Sequence, residues 1–116
     1  MIIDRFIKTV ILTCLLLLTS CAGQVQPDEP VKITPVSQLL AQGNDKLQQR
    51  QYVAAIFFYE QVIEQEPENT AAVLGIADAS MAINNLSEAG ERYEMVLENE
   101  PDNLRAAEGK GLVYFK

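Results

Sequence analysis

Apolar residues recur every three or four positions along several stretches of this chain, which is the spacing of one face of an α-helix. The clearest stretch predicts a helix from about Val53 to Gln65. Its apolar face consists of Tyr52, Ala55, Ile56, Tyr59, Val62 and Ile63. Pro67 follows, and because a proline disfavours helical geometry in the residue before it, the helix is expected to end there.

The same pattern returns 34 residues later in the chain. Segments 59–69 and 93–103 are identical at seven of eleven positions, including the tyrosine, the proline and the final asparagine. Residues outside these segments keep the same offset: Ala55 and Ala89, Ala72 and Ala106, Gly75 and Gly109. A fixed period of this length, with an apolar helix before each proline, indicates an array of repeated helical pairs.

The period predicts five helices and no strands in residues 36–116. The helices are expected at about Ser37–Gln49, Val53–Gln65, Thr70–Ile83, from the N-cap Ser87 to Pro101, and from Leu104 to the end at Lys116. Asn69 is the expected N-cap of the third helix, because asparagine side chains accept hydrogen bonds from the first free N–H groups of a helix. Asn84 and Asn85 form the expected turn after that helix.

The repeated residues resemble the tetratricopeptide repeat (TPR) family, over roughly residues 36–116. Three positions carry the resemblance: a small residue where the A and B helices of a repeat meet, a small residue followed four positions later by an aromatic, and the closing proline. They are Gly43, Ala77 and Gly111; Ala55–Tyr59 and Ala89–Tyr93; and Pro67 and Pro101. The A helices depart from the family pattern, with Leu39, Val73 and Ala107 where it favours tryptophan.

The resemblance implies a concave groove lined by side chains of the A helices. Mapped by register, the predicted groove residues are Leu40, Asn44, Leu47, Leu74, Asp78, Met81, Glu108 and Leu112. The basic set with which some family members clamp acidic peptide ends is absent from these positions. The groove is therefore expected to hold an extended segment or a helix of a protein partner. The alternative is that its apolar members only pack against neighbouring helices.

The first 20 residues resemble a bacterial lipoprotein signal peptide. Arg5 and Lys8 precede a nine-residue apolar core, which is too short to span a bilayer and ends in Leu18-Thr19-Ser20-Cys21. This end resembles a lipobox, which implies cleavage before Cys21 and acylation, including palmitate, of that residue. Ala22 follows where an aspartate would retain the protein at the inner membrane, which implies outer-membrane sorting, facing the periplasm. In a Gram-positive source the anchor is the outer face of the plasma membrane. An ordinary secretory signal with an incidental cysteine is the alternative.

Residues 23–35 are predicted to form an extended tether, because they contain three prolines among polar residues.

The full chain has a net charge of −7, and removal of residues 1–20, with Asp4, Arg5 and Lys8, leaves −8. An acidic surface argues against nucleic-acid binding, which calls for a basic patch. The absence of histidine and of thiols after Cys21 argues against catalysis, metal binding, a cofactor or a small-molecule substrate. The carboxylate pairs Glu64/Glu66 and Glu98/Glu100 repeat with the array, which favours a structural role.

Two features have more than one interpretation. Phe57 and Phe58 are adjacent on the first B helix, where the second repeat has Glu91 and Arg92. They form either a partner contact or a surface of the first repeat that Val31 and Ile33 cover.

The last turn, residues 112–116, is apolar. It indicates a further B helix, a truncated gene, or an end that docks on another subunit.

The sequence thus predicts an all-α fold: a short TPR-like solenoid of two full repeats (36–69 and 70–103) and one A helix (104–116), after a signal peptide (1–20) and a lipidated tether (21–35). The expected function is a membrane-anchored adaptor of the bacterial envelope that binds a protein partner in the periplasm. The combination of lipobox, tether and few repeats resembles TPR lipoproteins of pilus (tight-adherence) and secretion assembly. The alternatives are a regulator of periplasmic cell-wall enzymes and a truncated fragment without function.

Overall fold

The computed structural model describes residues 2–18, 30 and 32–116. It divides the chain into two compact units, residues 1–32 and 33–116. In the first unit, helix α1 runs from Ile2 to Leu18, and its side chains as far as Ile11 are exposed. None of the helices in the described residues combines the length and apolar character needed to cross a bilayer. Cys21, Val31 and the tether residues 23–29 lie outside the described residues.

The second unit consists of five α-helices. They are α2 (Val36–Gln48), α3 (Tyr52–Gln65), α4 (Thr70–Ala82), α5 (Leu86–Asn99) and α6 (Leu104–Tyr114). Each begins and ends within two residues of the predicted bounds, and residues 33–116 contain no strand. The all-α fold is confirmed. The apolar period fixes these elements because each helix has one face that must be buried against a neighbour.

The predicted start of α5 at an N-cap Ser87 is wrong. The N-cap is Asn85, whose side-chain oxygen accepts a hydrogen bond from the backbone N–H of Glu88. The Ser87 hydroxyl instead lies beside the Glu91 carboxylate, one turn further on. Asparagine and serine are both good N-caps, so the sequence alone did not decide between them. The predicted cap Asn69 is confirmed, since its oxygen accepts from the backbone N–H of Ala72 at 3.1 Å.

The A helices and the B helices form separate layers. The A helices α2, α4 and α6 contact each other in sequence, while the B helices α3 and α5 contact A helices but not each other. Each B helix packs between two consecutive A helices: α3 between α2 and α4, and α5 between α4 and α6. Since the A helices lie closer together, the array curves toward them, and their outer side is concave.

Helix α4 is the centre of the unit. Residues Ala72 to Ala77, Ala79 and Ser80 are all buried, because α4 has neighbours on both sides. Ala72 and Ile76 belong to a first core cluster with Leu39, Ala55, Tyr59 and Val62. The other face of α4 contributes to a second cluster, which comprises Val73, Leu74, Ala77, Ala89, Tyr93, Val96 and Ala106. Helix α4 therefore contributes residues to both core clusters.

Both full A helices end in the same kind of turn. Arg50 and Asn84, which are 34 positions apart, have left-handed backbone angles of φ 60° and φ 62°. Beyond them, the N–H of Gln51 donates to the carbonyl of Lys46 at 2.9 Å, and that of Asn85 to the carbonyl of Ser80 at 2.8 Å. These are the bonds of a Schellman motif, which satisfies carbonyls at a helix end and reverses the chain.

Candidate partner-binding groove

Each repeat is held together by a tyrosine ring enclosed between small residues. Tyr59 on α3 is 1% exposed, and its ring lies between Gly43 of α2 and Gly75 of α4. A Cβ placed on Gly43 would lie 2.7 Å from the ring, and one on Gly75 would lie 2.5 Å from it. The predicted role of Gly43 is thus confirmed. The role of Gly75 as the opposite wall was not predicted, although its recurrence as Gly109, against Tyr93, is the signal that identifies it.

The tyrosine hydroxyls link this core to the predicted groove. Tyr59 donates a hydrogen bond to Oδ1 of Asn44 at 2.6 Å, and Tyr93 donates to Oδ1 of Asp78 at 2.6 Å. Asn44 and Asp78 occupy equivalent positions on α2 and α4, so the bond is a feature of the repeat. The guanidinium of Arg105 on α6 donates to the second oxygen of Asp78. Hydrogen bonds from the buried tyrosines therefore hold Asn44 and Asp78 in position on the groove.

Burial and the neighbouring carboxylate determine the protonation of these tyrosines. Desolvation raises the pKa of Tyr93 well above its ordinary value, and the hydrogen bond to Asp78 and the charge of that residue raise it further. Desolvation also raises the pKa of Tyr59, with a smaller opposing effect from Arg105. Both hydroxyls are therefore hydrogen-bond donors throughout the physiological pH range.

The structure places the predicted groove residues on the three consecutive A helices, with different degrees of exposure. Asn44, Glu108 and Leu112 are exposed. The partly buried members are Leu40, Leu47, Asp78 and Met81. Leu40 and Leu47 pack against the first core cluster, and Met81 packs against the second. Leu74 is 5% exposed and belongs to the second cluster itself. The accessible strip therefore combines the polar Asn44, Asp78 and Glu108 with the apolar Leu112.

Arg105 brings a positive charge to the strip through its contact with Asp78. Its side chain is more than half exposed, and its ion pair with Asp78 joins α6 to α4 across the concave side. The pair neutralises both charges locally, which leaves Glu108 and the amide group of Asn44 as the polar groups toward solvent. This arrangement suits hydrogen bonding to a peptide backbone or to polar side chains rather than capture of a strongly acidic segment.

The aromatic pair on α3 has one exposed and one packed ring. Phe58 packs against the first core cluster, whereas Phe57 is 60% exposed. Ile33 is 69% exposed and does not cover this surface, and Val31 lies outside the described residues. The tether reaches α3 elsewhere, where the carbonyl of Thr34 accepts a hydrogen bond from the Gln65 side chain at 3.0 Å.

Acidic residues at the repeat boundaries have local hydrogen-bonding roles. Asn69 donates to the Glu66 carboxylate at 2.7 Å, and Asn103 donates to Glu100 at 2.9 Å. The hydroxyl of Thr70 also donates to Glu100. The bonds from Thr70 and Asn103 lower the pKa of the Glu100 carboxyl. Within the residues that the structure describes, no cluster of three or more acidic or sulfur ligands has the spacing for a metal ion.

Comparisons with known proteins agree with this architecture. A family model described as tetratricopeptide repeat matches residues 46–112, more than half of the chain. A search of curated proteins found no significant match. The matched segment extends from the end of α2 into α6 and includes both tyrosines, both prolines and the turn between the repeats. TPR domains bind protein partners and typically have no enzymatic activity. The chain belongs to the tetratricopeptide repeat family.

Proposed function

We propose that this protein is a lipid-anchored adaptor of the bacterial envelope, which holds a protein partner at the periplasmic face of the outer membrane. The observation that carries the binding role is the strip of accessible side chains across α2, α4 and α6. Asn44, Asp78 and Glu108 lie on one concave side, and the first two are fixed by tyrosines of the core. A groove with fixed polar groups is preorganised, so little ordering of its side chains is needed on binding.

The anchor is proposed from the sequence alone. Cys21 follows Leu18-Thr19-Ser20, and thiol acylation is the chemistry that a cysteine in this position supports. Each buried CH₂ of an acyl chain contributes about 0.8 kcal/mol, and stable attachment takes more than one chain. If the source is Gram-positive, the same anchor lies at the outer face of the plasma membrane. The tether then separates the repeats from the lipid surface.

The proposed partner is a segment of an envelope protein, in an extended or helical conformation, and the proposed process is assembly of a pilus or a secretion complex. The support is the combination of lipobox, tether and a short TPR array. Deletion of the gene is expected to remove surface fibres or secretion while cell shape stays normal. Altered cell shape with intact fibres would instead favour regulation of cell-wall enzymes.

The groove is tested by site-specific photo-cross-linking in intact cells. A photoreactive residue at Asn44, on the concave side, is expected to capture a protein partner. The matched control replaces Glu60, which is equally exposed but lies on the B helix α3. Equal capture from both positions, or capture only from position 60, would contradict the groove as the binding surface.

The anchor is tested by the intact mass of the native protein from the membrane fraction. The expected mass is that of residues 21–116 plus acyl chains, and an inhibitor of lipoprotein signal peptidase should cause the precursor to accumulate. The variant Cys21→Ser is expected to lose membrane attachment. An unmodified mature chain would remove the membrane from the proposal but leave the groove intact.

A further inference from the structure

The outer face of helix α3 carries two apolar side chains that belong to neither core cluster. Val53 is 71% exposed, and Phe57, one turn further on, is 60% exposed. The equivalent positions on α5, Ser87 and Glu91, are also exposed. Because α5 has a helix pair before it and α6 after it, these positions face solvent inside the array as well as in its first repeat. The exposure of Val53 and Phe57 is therefore a property of the B helix.

The fold does not require apolar residues at these two positions. The second repeat forms the same helix pair with a serine and a carboxylate there. The Phe57 ring is nevertheless held in place, because it contacts the Phe58 ring edge to face, with centroids 5.6 Å apart. Phe58 in turn packs against the first core cluster. An exposed ring that is held in position and that the core does not use is suited to contact with another molecule.

The charges along this face restrict what can cover it. Arg50, in the turn before α3, stands seven residues before Phe57, and Glu64 stands seven residues after it, about two helical turns in each direction. Both charged side chains are exposed. None of the ion pairs between described residues includes either one. The face thus has a cation at one end, an apolar centre and a carboxylate at the other end.

A second copy of this face, running antiparallel, has the complementary order of charges. With Phe57 of each copy at a two-fold axis, Arg50 of one copy lies opposite Glu64 of the other, and this pair occurs twice. Glu60, the remaining carboxylate on the face, lies opposite Ala54 of the second copy. The antiparallel register therefore brings opposite charges together and places no two carboxylates opposite each other.

The outer face of α5 does not suit the same contact. Its exposed residues at the equivalent positions are a serine and three carboxylates: Ser87, Glu91, Glu94 and Glu98. Two copies of this face would repel each other, and α3 of one copy against α5 of another would bring Glu64 toward further carboxylates. The charge pattern therefore favours contact between the two α3 helices.

We propose that the protein forms a homodimer in which the α3 helices of two copies pack antiparallel, with Phe57 at the axis and Arg50–Glu64 ion pairs at both ends. The contact is isologous, so it produces a closed dimer and not a chain of copies. Helix α3 belongs to the B layer, opposite the concave side, so both grooves stay accessible. Two grooves in one assembly increase avidity for a repetitive partner.

The dimer is expected to be weak and reversible. A contact between two single helices is smaller than the roughly 800 Å² per partner of a standard interface. The contact uses no residue of the groove and none of the lipid anchor. Its failure in an experiment is therefore distinguishable from failure of the proposed function.

Photo-cross-linking of the full chain in intact cells tests what covers the face. A photoreactive phenylalanine analogue at position 57 keeps the aromatic ring and is expected to give an adduct of two copies, joined through α3. Position 91 is the matched control, since it is the equivalent exposed position on α5. A self-adduct from position 60 is also expected, and its mass distinguishes it from a partner captured at Asn44. An adduct of position 57 with another protein or with the segment around Val31, or equal self-adducts from position 91, would overturn the proposal.

Charge reversal tests the antiparallel order. The dissociation constant is measured by sedimentation at low ionic strength with residues 33–116, which contain both core clusters and form a compact unit. Arg50→Glu and Glu64→Arg are each expected to weaken self-association roughly threefold or more, because two attractive pairs become repulsive. An equimolar mixture of the two variants should recover a heterodimer. Unchanged association of either variant alone, or no recovery in the mixture while both keep their helical content, would contradict the antiparallel contact.

Substitution at the apolar centre gives the largest expected effect. Phe57→Glu introduces the residue of the second repeat and should weaken self-association about tenfold or more, because the ring is lost and two carboxylates meet at the axis. Leu104→Glu is the control, since Leu104 is 77% exposed on α6, which does not contact α3. It should leave the dissociation constant within about twofold. Equal losses in both variants, or an unsubstituted chain that stays monomeric up to about 1 mM, would overturn the proposal.

Discussion

At the residue scale, the fit between the Tyr59 ring and two glycines determines how closely α2 and α4 approach the helix α3 between them. The glycines lie on both sides of the Tyr59 ring, so a methyl group added to either one would overlap the ring. We expect Gly75→Ala to destabilise the fold by about 1–3 kcal/mol through overpacking, despite the roughly 1 kcal/mol advantage of alanine in a helix. Urea denaturation followed by circular dichroism measures the change.

Gly90 provides the matched control for this substitution. A Cβ added there would lie 3.6 Å from a Val113 methyl group, which is an ordinary van der Waals distance. Gly90→Ala is therefore expected to stabilise the protein by about 0.5–1 kcal/mol. Equal effects of the two substitutions would contradict the enclosure of the Tyr59 ring.

The hydroxyl of Tyr93 leads to a prediction about pH. Its pKa is raised in the folded state, so the folded protein keeps the proton when the unfolded chain, with an ordinary pKa of 10.0, has lost it. The stability from this group is therefore fully present below about pH 10 and falls as the pH rises further. Tyr93→Phe should flatten this decline. Asp78→Asn should flatten it only in part, because burial is the larger cause.

Denaturation midpoints between pH 9 and pH 11 measure the effect. At neutral pH, Tyr93→Phe is expected to cost about 1–2 kcal/mol, because a hydrogen bond to a carboxylate is lost while Arg105 still pairs with Asp78. A Tyr93→Phe protein with the same alkaline decline as the parent would show that other groups cause it.

At the scale of elements, helices α2 and α4 end in the same left-handed turn. The left-handed residue is Arg50 after α2 and Asn84 after α4. Asparagine adopts left-handed angles readily, whereas arginine at φ 60° is strained by its Cβ. Arg50→Asn is thus expected to stabilise the protein by about 0.5–1 kcal/mol. The reverse change, Asn84→Arg, should destabilise it by a similar amount. Urea midpoints at constant slope measure both, and opposite signs are the essential result.

The elements themselves were predictable, because the 34-residue period, the apolar spacing and the two prolines all specify the same helices. Finer details were not. Asn85 rather than Ser87 caps α5, since two good capping residues stand two positions apart and only the chain direction after α4 decides between them. The burial of Leu74 also needed the structure, because a residue at the edge of an A helix faces either the groove or the next helix.

The candidate groove was also predictable from the sequence only in part. Its register and its polar members Asn44 and Asp78 followed from the repeat. Their hydrogen bonds to Tyr59 and Tyr93 connect residues 15 positions apart, on different helices, and no periodic pattern encodes them. The pairing of Arg105 with Asp78 likewise depends on the distance between α4 and α6.

At the scale of the whole molecule, the two core clusters are joined by few residues besides α4. Ile63 is partly buried and packs against both clusters, whereas Leu97, its equivalent in the second repeat, packs against one. Stability in a repeat array is the sum of the repeats and the interfaces between them, so residues at an interface control whether the array unfolds as one unit. Ile63 is such a residue.

We therefore expect Ile63→Ala and Leu97→Ala to differ in cooperativity more than in stability. Each removes a partly buried side chain and should cost about 1–3 kcal/mol. Ile63→Ala should also broaden the urea transition, because the first and second repeats become less coupled, while Leu97→Ala should shift the midpoint and keep the slope. Circular dichroism on residues 33–116 measures both quantities. If the slope is unchanged in both variants, the coupling passes through the continuous backbone and packing of α4, and the contacts of Ile63 are not its source.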